Sequence, residues 1–265
     1  MAACAVVRCA VVGHVEWTEF ALVDHVPAPG NIAHAFDDWA EPAGGGAVVA
    51  TQIRKLAGTC DFFTALGDDE LGHKCAERLG EMGLSLTVEW FGRTRRAITL
   101  IDEHRERTIT TFGPKLRPNG EYDFAEYDFV FFIAGEPEVL RAARAARFLA
   151  ATTREVPTLK EGGVQIDLLI GSGRDPGEHY DGGIDATIVV ATEGTDGGVV
   201  NGRRYDALTT PGQVVDTYGA GDSFAAALGF ALARGDGLDA ALALAARAGA
   251  GVVTGKGPYT SQIWA

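Results

Sequence analysis

The chain has 265 residues, of which 46% are hydrophobic and 22% are charged, and its formal net charge at pH 7 is −13. This composition is typical of a folded globule with a sizeable core, which excludes a disordered or fibrous chain. The acidic balance argues against a nucleic-acid-binding protein, because such proteins need clusters of cations, whereas backbone amides could still bind a phosphorylated ligand.

The cysteines and the apolar segments bear on where the protein works. Cys4, Cys9, Cys60 and Cys75 form no C-x-x-C pair, and we expect reduced core thiols rather than a disulfide or a metal site. No uninterrupted apolar run approaches the ~18 residues of a membrane span. The early apolar stretch contains Arg8 and lacks a secretory layout. We therefore expect a cytoplasmic protein with no membrane partner.

The first part of the chain predicts one buried strand and a small second sheet. Residues 5–12 are apolar on both faces, which is typical of a central strand in a covered sheet. Alternating segments that indicate strands with one wet face cover residues 19–26, 33–39, 87–91, 97–102 and 107–112. We predict that these form a small, mostly antiparallel lid sheet within about residues 14–42 and 87–112.

The other segments alternate between helix and strand. Predicted helices cover residues 47–56, 70–82, 136–147, 220–234 and 238–252. Predicted strands cover residues 60–66, 129–133, 148–152, 167–171 and 187–192. The alternation predicts an α/β fold: a doubly wound, mostly parallel sheet in a single domain, 1–265, that carries the lid.

The most informative motif is DTYGAGDSF at residues 216–224. Gly219 and Gly221 flank Ala220 where the chain is predicted to enter a helix, so backbone N–H groups could approach an anion there. Asp222 lies in the predicted first turn and could accept the proton of an attacking hydroxyl during phosphoryl transfer. An ordinary helix N-terminus would have the same residues, and the spacing alone leaves both interpretations open.

This motif resembles D-T-x-G-A-G-D-x-F of the ribokinase-like (PfkB) carbohydrate kinases. Residues 27–30 (PAPG), 44–47 (GGGA) and 64–72 (TALGDDELG) resemble further motifs of that family in the same order. The resemblance covers nearly the whole chain. It implies a ribokinase-like fold and an ATP-dependent phosphotransferase with an alcohol acceptor, with Mg²⁺ and also K⁺ as candidate cofactors. It further implies a sugar-like small-molecule substrate and a homodimer formed through the lid.

The resemblance also implies roles for individual residues. Asp222 falls on the catalytic base, and the anion hole falls on Gly219, Ala220 and Gly221. The substrate-binding positions are Glu16, Thr18, Gly44, Gly45, Val48 and Glu136. The nucleotide-binding positions are Thr192, Gly194, Gly197, Val252 and Val253, although apolar residues such as the two valines are more often plain core. Candidate metal positions are Asp175 for Mg²⁺, and Asp216, Gly257 and Ser261 for a monovalent cation.

Three positions depart from the family pattern. Thr18 stands where the family usually has a sugar-binding Asp, and Val48 stands where it has an Asn, whose donors and acceptor a Val cannot replace. The stretch 172–175 is a shortened substitute for the family's Asn-x-x-Glu. These departures leave two interpretations open: an acceptor other than ribose or fructose, or a binding protein without activity. A nucleoside kinase on the same fold is a further alternative. The intact Asp222 and anion hole favour a working kinase.

Overall fold

The computed structural model describes residues 7–265, so Cys4 and the first residues of the predicted strand 5–12 lie outside the described residues. Within that range there are six α-helices: α1 (Gly45–Ala57), α2 (Glu70–Glu81), α3 (Pro137–Ala143), α4 (Val156–Gly162), α5 (Ala220–Arg234) and α6 (Leu238–Val252). The strands are β1 (Cys9–Val12), β2 (Glu16–Leu22), β3 (Asp37–Ala43), β4 (Asp61–Leu66), β5 (Ser85–Trp90), β6 (Arg96–Ile101), β7 (Arg107–Phe112), β8 (Phe129–Phe132), β9 (Phe148–Thr152), β10 (Ile166–Ser172), β11 (Ala186–Thr192), β12 (Gly198–Val200) and β13 (Arg203–Tyr205).

Nine strands form one large sheet in the order β13-β12-β11-β10-β9-β8-β1-β4-β5. The seven strands from β11 to β5 run parallel to their neighbours. Strands β12 and β13 extend one edge in antiparallel pairing. The predicted α/β fold with a mostly parallel sheet is therefore confirmed. Parallel strands end at one common edge of a sheet, which is where the loops after β1 and β8 meet.

Helices cover both faces of the large sheet, as the prediction of a doubly wound fold requires. Successive strand residues point to opposite faces, so neighbouring residues of β8 belong to different cores. Phe131 packs in the core that contains residues of α1, α5 and α6. Phe132 packs in the second core, which contains residues of α3 and α4. Both faces of the central strands are thus dry, which explains their continuous apolar sequence.

The small sheet has the strand order β3-β2-β6-β7. Strands β2 and β6 pair in parallel, and the other two pairs are antiparallel. One apolar cluster joins this sheet to the rest of the molecule; its members include Phe20, Val48, Tyr218 and Tyr259. The Tyr259 hydroxyl also donates a hydrogen bond to the carbonyl of Pro42 at 2.6 Å. These contacts fix the small sheet over the starts of α1 and α5.

Some predicted elements differ from the structure. The prediction that residues 87–91 belong to the small sheet is wrong, because β5 pairs in parallel with β4 at the edge of the large sheet. An edge strand with one wet face alternates just as a lid strand does, so the sequence pattern could not separate the two. The strand predicted at 33–39 begins at Asp37, and the helix predicted at 136–147 ends at Ala143. The short α4, β12 and β13 were not predicted.

The cysteines in the described range are free and buried: Cys9, Cys60 and Cys75. This agrees with the expected core thiols, and burial raises the pKa of Cys9 to about 12, so this group stays protonated at neutral pH. Among residues 7–265, no helix combines the length and apolar character needed to cross a membrane.

Candidate active site

Asp222 lies in the first turn of α5. Gly219 caps this helix with φ 81°, in the left-handed region that favours glycine, and its carbonyl accepts the N–H of Ser223 at 2.8 Å. The N–H groups of a first helical turn have no partner within the helix. Gly221 is exposed, and no atom lies within 4 Å of the position of an added Cβ. The Gly219–Gly221 turn therefore offers N–H donors to an anion beside the half-buried Asp222.

The start of α1 meets the same carboxylate. A Cβ added to Gly45 would lie 3.2 Å from Asp222 Oδ1, so the glycine permits this close approach. Gly44 has φ 89°, and its N–H donates to the Tyr218 hydroxyl at 3.2 Å. Two helix N-termini thus converge on Asp222, and their partial positive charges favour a bound anion.

The surroundings of Asp222 adjust its acidity. Burial raises the pKa of Asp222 to about 6. The positive charges of Arg107, the larger influence, and Arg154 lower this pKa. The negative charges of Glu178 and Glu16 raise it further. A carboxylate with a pKa near 6 is mostly ionised at pH 7, yet it is basic enough to accept a proton from a reacting hydroxyl.

The predicted sugar-binding residues divide into two groups. Glu16 is buried, accepts a hydrogen bond from Arg95 Nε at 3.0 Å, and lies beside Gly44, whose added Cβ would be 3.4 Å from Glu16 Cγ. The side chains of Thr18 and Val48 are fully buried. The Thr18 hydroxyl has no hydrogen-bond partner in the described part of the chain. Glu16 therefore joins the Asp222 site, whereas Thr18 and Val48 are packed around it.

The loops after β1 and β8 supply two further residues. The ring of His14 lies 3.2 Å from the position of a Cβ added to Gly44, and its Nδ1 is buried without a partner among residues 7–265. Burial, reinforced by nearby cations, lowers the pKa of His14 well below its usual value, so the imidazole is neutral. Glu136 is half-buried just before α3, and its N–H donates to the Pro118 carbonyl at 2.9 Å.

The predicted nucleotide residues lie mainly at the end of β11. Thr192 closes that strand and donates a hydrogen bond to the Gly171 carbonyl at 3.3 Å. Gly194 and Gly197 follow with φ 63° and 80°, and a Cβ on Gly197 would lie 2.0 Å from the Tyr205 carbonyl oxygen. The loop therefore requires glycine at position 197. A cavity of about 470 Å³ lies between residues 203–208 and α6.

Val252 and Val253 end α6 and are buried. The Val253 carbonyl accepts the N–H groups of Val215, at 2.8 Å, and Asp216, at 3.3 Å. This matches the plain-core interpretation of both valines. Their contribution to the site is to hold the segment that leads to Gly219.

Asp216 is a buried carboxylate at the start of that segment, with 1% exposure. Its oxygens accept the N–H groups of Tyr218 at 2.8 Å and Gly257 at 3.2 Å, and burial raises its pKa. Ser261 closes the same loop, with its Oγ 2.4 Å from the position of a Cβ added to Gly255. In the described range no cationic side chain lies within 4.0 Å of the Asp216 carboxylate.

Asp175 has a different set of partners. Its Oδ1 accepts the N–H of Gly177 at 2.8 Å and its Oδ2 binds Arg154 at 2.6 Å. Arg154 also binds Glu178 at 2.6 Å. Asp175 and Glu178 are therefore already paired with one guanidinium. Residues 7–265 contain no cluster of three or more metal-ligating side chains, and these residues do not form a ready magnesium site.

Three side chains around this site could not be predicted from the sequence: His14, Arg107 and Arg154. Each comes from a different segment of the chain, and none lies in a motif with a spacing of its own. Arg107 looks like the first residue of a lid strand, and Arg154 looks like a solvated residue after a strand. Only the topology and the packing of the two sheets bring these segments together.

Comparisons with known proteins identify a family and a fold. A family model described as the pfkB family of carbohydrate kinases matches residues 7–153 and 180–265. No curated protein sequence matches the chain at a significant level.

Several solved structures share the fold. A ribokinase from Thermotoga maritima is 22% identical, with a TM-score of 0.75, over 97% of this chain and 96% of that chain. An Arabidopsis thaliana ribokinase complexed with ribose and ATP is 21% identical, with a TM-score of 0.76, over 98% of this chain and 96% of that chain. A Methanocaldococcus jannaschii nucleoside kinase is 18% identical, with a TM-score of 0.75, over 96% of this chain and 94% of that chain. Identities this low support the shared fold alone.

Proposed function

The chain belongs to the pfkB family of carbohydrate kinases, and from that premise we propose that it transfers the γ-phosphoryl group of ATP to a hydroxyl of a sugar or sugar-like small molecule. One observation carries the proposal. Asp222, whose pKa burial raises to about 6, follows the Gly219–Gly221 turn directly in the first turn of α5. A base and an anion hole are thus adjacent, which is what hydroxyl phosphorylation requires.

In the proposed reaction, Asp222 accepts the proton of the acceptor hydroxyl. The acceptor oxygen forms a bond to the γ-phosphorus while the bond from that phosphorus to the ADP oxygen breaks. The N–H groups of the α5 start hold the phosphoryl oxygens as charge develops on them. Glu16 and Gly44 lie on the acceptor side of Asp222, and the loop with Thr192 and Gly197 lies on the nucleotide side. The small sheet excludes water, which would otherwise consume ATP.

Two cations have different support. A monovalent cation such as K⁺ fits beside Asp216, with the loop of Gly257 and Ser261, where it would balance a buried carboxylate. We include Mg²⁺ only as the ion that usually accompanies ATP, because Asp175 and Glu178 already form ion pairs with Arg154.

The test is ADP release from Mg·ATP with K⁺ present, across pentoses, hexoses, sugar phosphates, sugar alcohols and nucleosides. We expect turnover of at least one acceptor, and a loss of about 10²–10⁴-fold in the Asp222→Asn variant, which keeps the side-chain shape but cannot take the proton. Asp239→Asn is the matched control, because Asp239 lies in the first turn of α6 with an exposed side chain.

Each outcome has a distinct meaning. Turnover confined to nucleosides would identify a nucleoside kinase on the same fold. Near-normal turnover by Asp222→Asn would remove Asp222 from the role of base. Nucleotide binding without turnover of any acceptor would point to a ligand-binding protein and against the proposed reaction.

A further inference from the structure

Arg107 connects the small sheet to the segment that precedes the anion hole. It is the first residue of β7, and its Nη1 donates a hydrogen bond to the Thr217 carbonyl at 2.9 Å. Its Cζ lies 5.8 Å from the centroid of the Tyr218 ring. These two contacts fix the guanidinium group two residues before Gly219, although it belongs to a strand of the other sheet.

The turn before β7 is shaped for this contact. Arg105 adopts φ 64°, a conformation that is uncommon outside glycine and that costs free energy. In that conformation its carbonyl accepts a hydrogen bond from Thr217 Oγ1 at 3.0 Å. Asp102 Oδ1 holds the turn by accepting the N–H groups of His104 and Glu106. Thr217 is therefore bound from both Arg105 and Arg107.

The charge of Arg107 is not neutralised by a partner. It offsets part of the rise in pKa that burial causes at Asp222 and at Asp216. It also adds to the lower pKa of Asp175, which the Gly177 N–H and Arg154 chiefly cause. Yet no carboxylate oxygen among residues 7–265 lies within 4.0 Å of its guanidinium nitrogens. An exposed guanidinium that is held by a carbonyl and forms no ion pair is free to bind an anion.

From these contacts we propose that Arg107 is a further catalytic residue, which the small sheet contributes and which binds the transferring phosphoryl group. This inference rests on the proposed kinase function. A guanidinium has five N–H donors and keeps its charge at every working pH, and Thr217 occupies only one of them. The remaining donors suit phosphoryl oxygens, which arginine binds with strong, charge-assisted hydrogen bonds. The small sheet then adds a cation to the anion hole as well as excluding water.

The experiment compares the affinities of ATP and ADP by calorimetry, because a contact to the γ-phosphoryl group changes their ratio. We expect Arg107→Met to weaken ATP binding by about tenfold or more while ADP binding stays within about twofold. Turnover falls by about 10²–10³-fold. Arg107→Lys recovers part of both losses, because it keeps the charge and loses the planar fork. Arg96→Met, on the neighbouring strand with an exposed partner in Glu19, is the matched control.

A second readout follows from the same charge. Asp222 is faced by Arg107, Arg154, Glu178 and Glu16. Loss of Arg107 raises its pKa further, so the acid limb of turnover moves to higher pH in Arg107→Met. Equal ATP-to-ADP ratios and equal acid limbs in Arg107→Met and Arg96→Met overturn the inference. If the wild type phosphorylates no acceptor, the proposed function fails, and the ATP-to-ADP ratio still decides whether Arg107 binds the phosphoryl group.

Discussion

At the residue scale, Asp222 should reduce the stability of the fold when it is ionised. Burial raises its folded-state pKa to about 6, above the unfolded value of about 3.9. The stabilisation from the protonated form is fully present below the unfolded pKa and is lost as the pH rises through about 6. We expect Asp222→Asn to raise the free energy of unfolding at pH 8 by about 1–3 kcal/mol, measured by urea denaturation. This gain shrinks towards pH 4.5.

Asp239→Asn serves as the control for this measurement as well, because its side chain is 82% exposed. It should show no comparable gain at either pH. Asp222→Asn with unchanged or lower stability at pH 8 would mean that the ionised carboxylate is not penalised by its surroundings. A gain in stability together with a loss of turnover in Asp222→Asn would be a trade between stability and activity, which is common where a site holds a strained or buried charge.

Gly219 offers a second test at this scale. It has φ 81°, and an added Cβ would lie 3.1 Å from Val48 Cγ1 and 3.2 Å from Pro258 Cβ. We expect Gly219→Ala to lower the free energy of unfolding by about 1–3 kcal/mol and to weaken ATP binding, because the turn of N–H donors shifts. Gly58→Ala is the control: Gly58 has φ 86° but no atom within 4 Å of an added Cβ. It should lose stability and keep ATP affinity. Equal ATP affinities in the two variants would mean that Gly219 does not contribute to the anion hole.

At the element scale, Asp69 fixes the start of α2. Its carboxylate accepts the N–H of Gly72 at 2.9 Å, the N–H of Thr94 at 2.9 Å and the Thr94 hydroxyl at 2.6 Å. Burial opposes ionisation, but these hydrogen bonds outweigh it and lower the pKa of Asp69. The stabilisation is therefore present above the unfolded pKa and lost as the pH falls through the folded value.

We expect Asp69→Ala to lower the free energy of unfolding at pH 7 by about 2–3 kcal/mol, because it removes a helix cap and leaves buried donors unpaired. Urea denaturation at pH 7 measures the loss, which should narrow as the pH approaches 3. Asp68→Ala is the control, since Asp68 is 73% exposed and contacts His73 at the surface. Similar losses in both variants would contradict the capping role.

The elements themselves were largely predictable, and the exceptions have physical causes. The periodicity of α5 and the turn before it were clear from sequence because Gly219 and Gly221 punctuate an apolar helix. The assignment of β5 failed because its alternation fits either sheet, and only its parallel pairing with β4 separates them. The position of Asp222 in a first turn was predictable from its neighbours. The approach of Arg107 was not, because it depends on how two sheets pack against each other.

At the scale of the whole molecule, the exposed edge of the small sheet predicts self-association. Strand β7 ends that sheet, all of its residues are exposed, and it displays Ile109 and Phe112 at 40% and 46% exposure. An exposed edge strand is a template for pairing with another strand, and a second copy of this chain presents the same edge. We expect sedimentation equilibrium to show a homodimer. Ile109→Lys should convert it to a monomer, because it places a charge on the paired edge.

Ile32→Lys is the control for that test, since Ile32 is 81% exposed in a loop outside both sheets, and the variant should remain a dimer. A monomeric wild type, or a dimeric Ile109→Lys variant, would place any contact between copies elsewhere. The test also bears on catalysis. Arg107 begins the same strand, so a dimer through β7 would hold the turn at residues 102–106 in place. Dissociation by Ile109→Lys should then weaken ATP binding more than ADP binding, in the same sense as Arg107→Met but to a smaller extent.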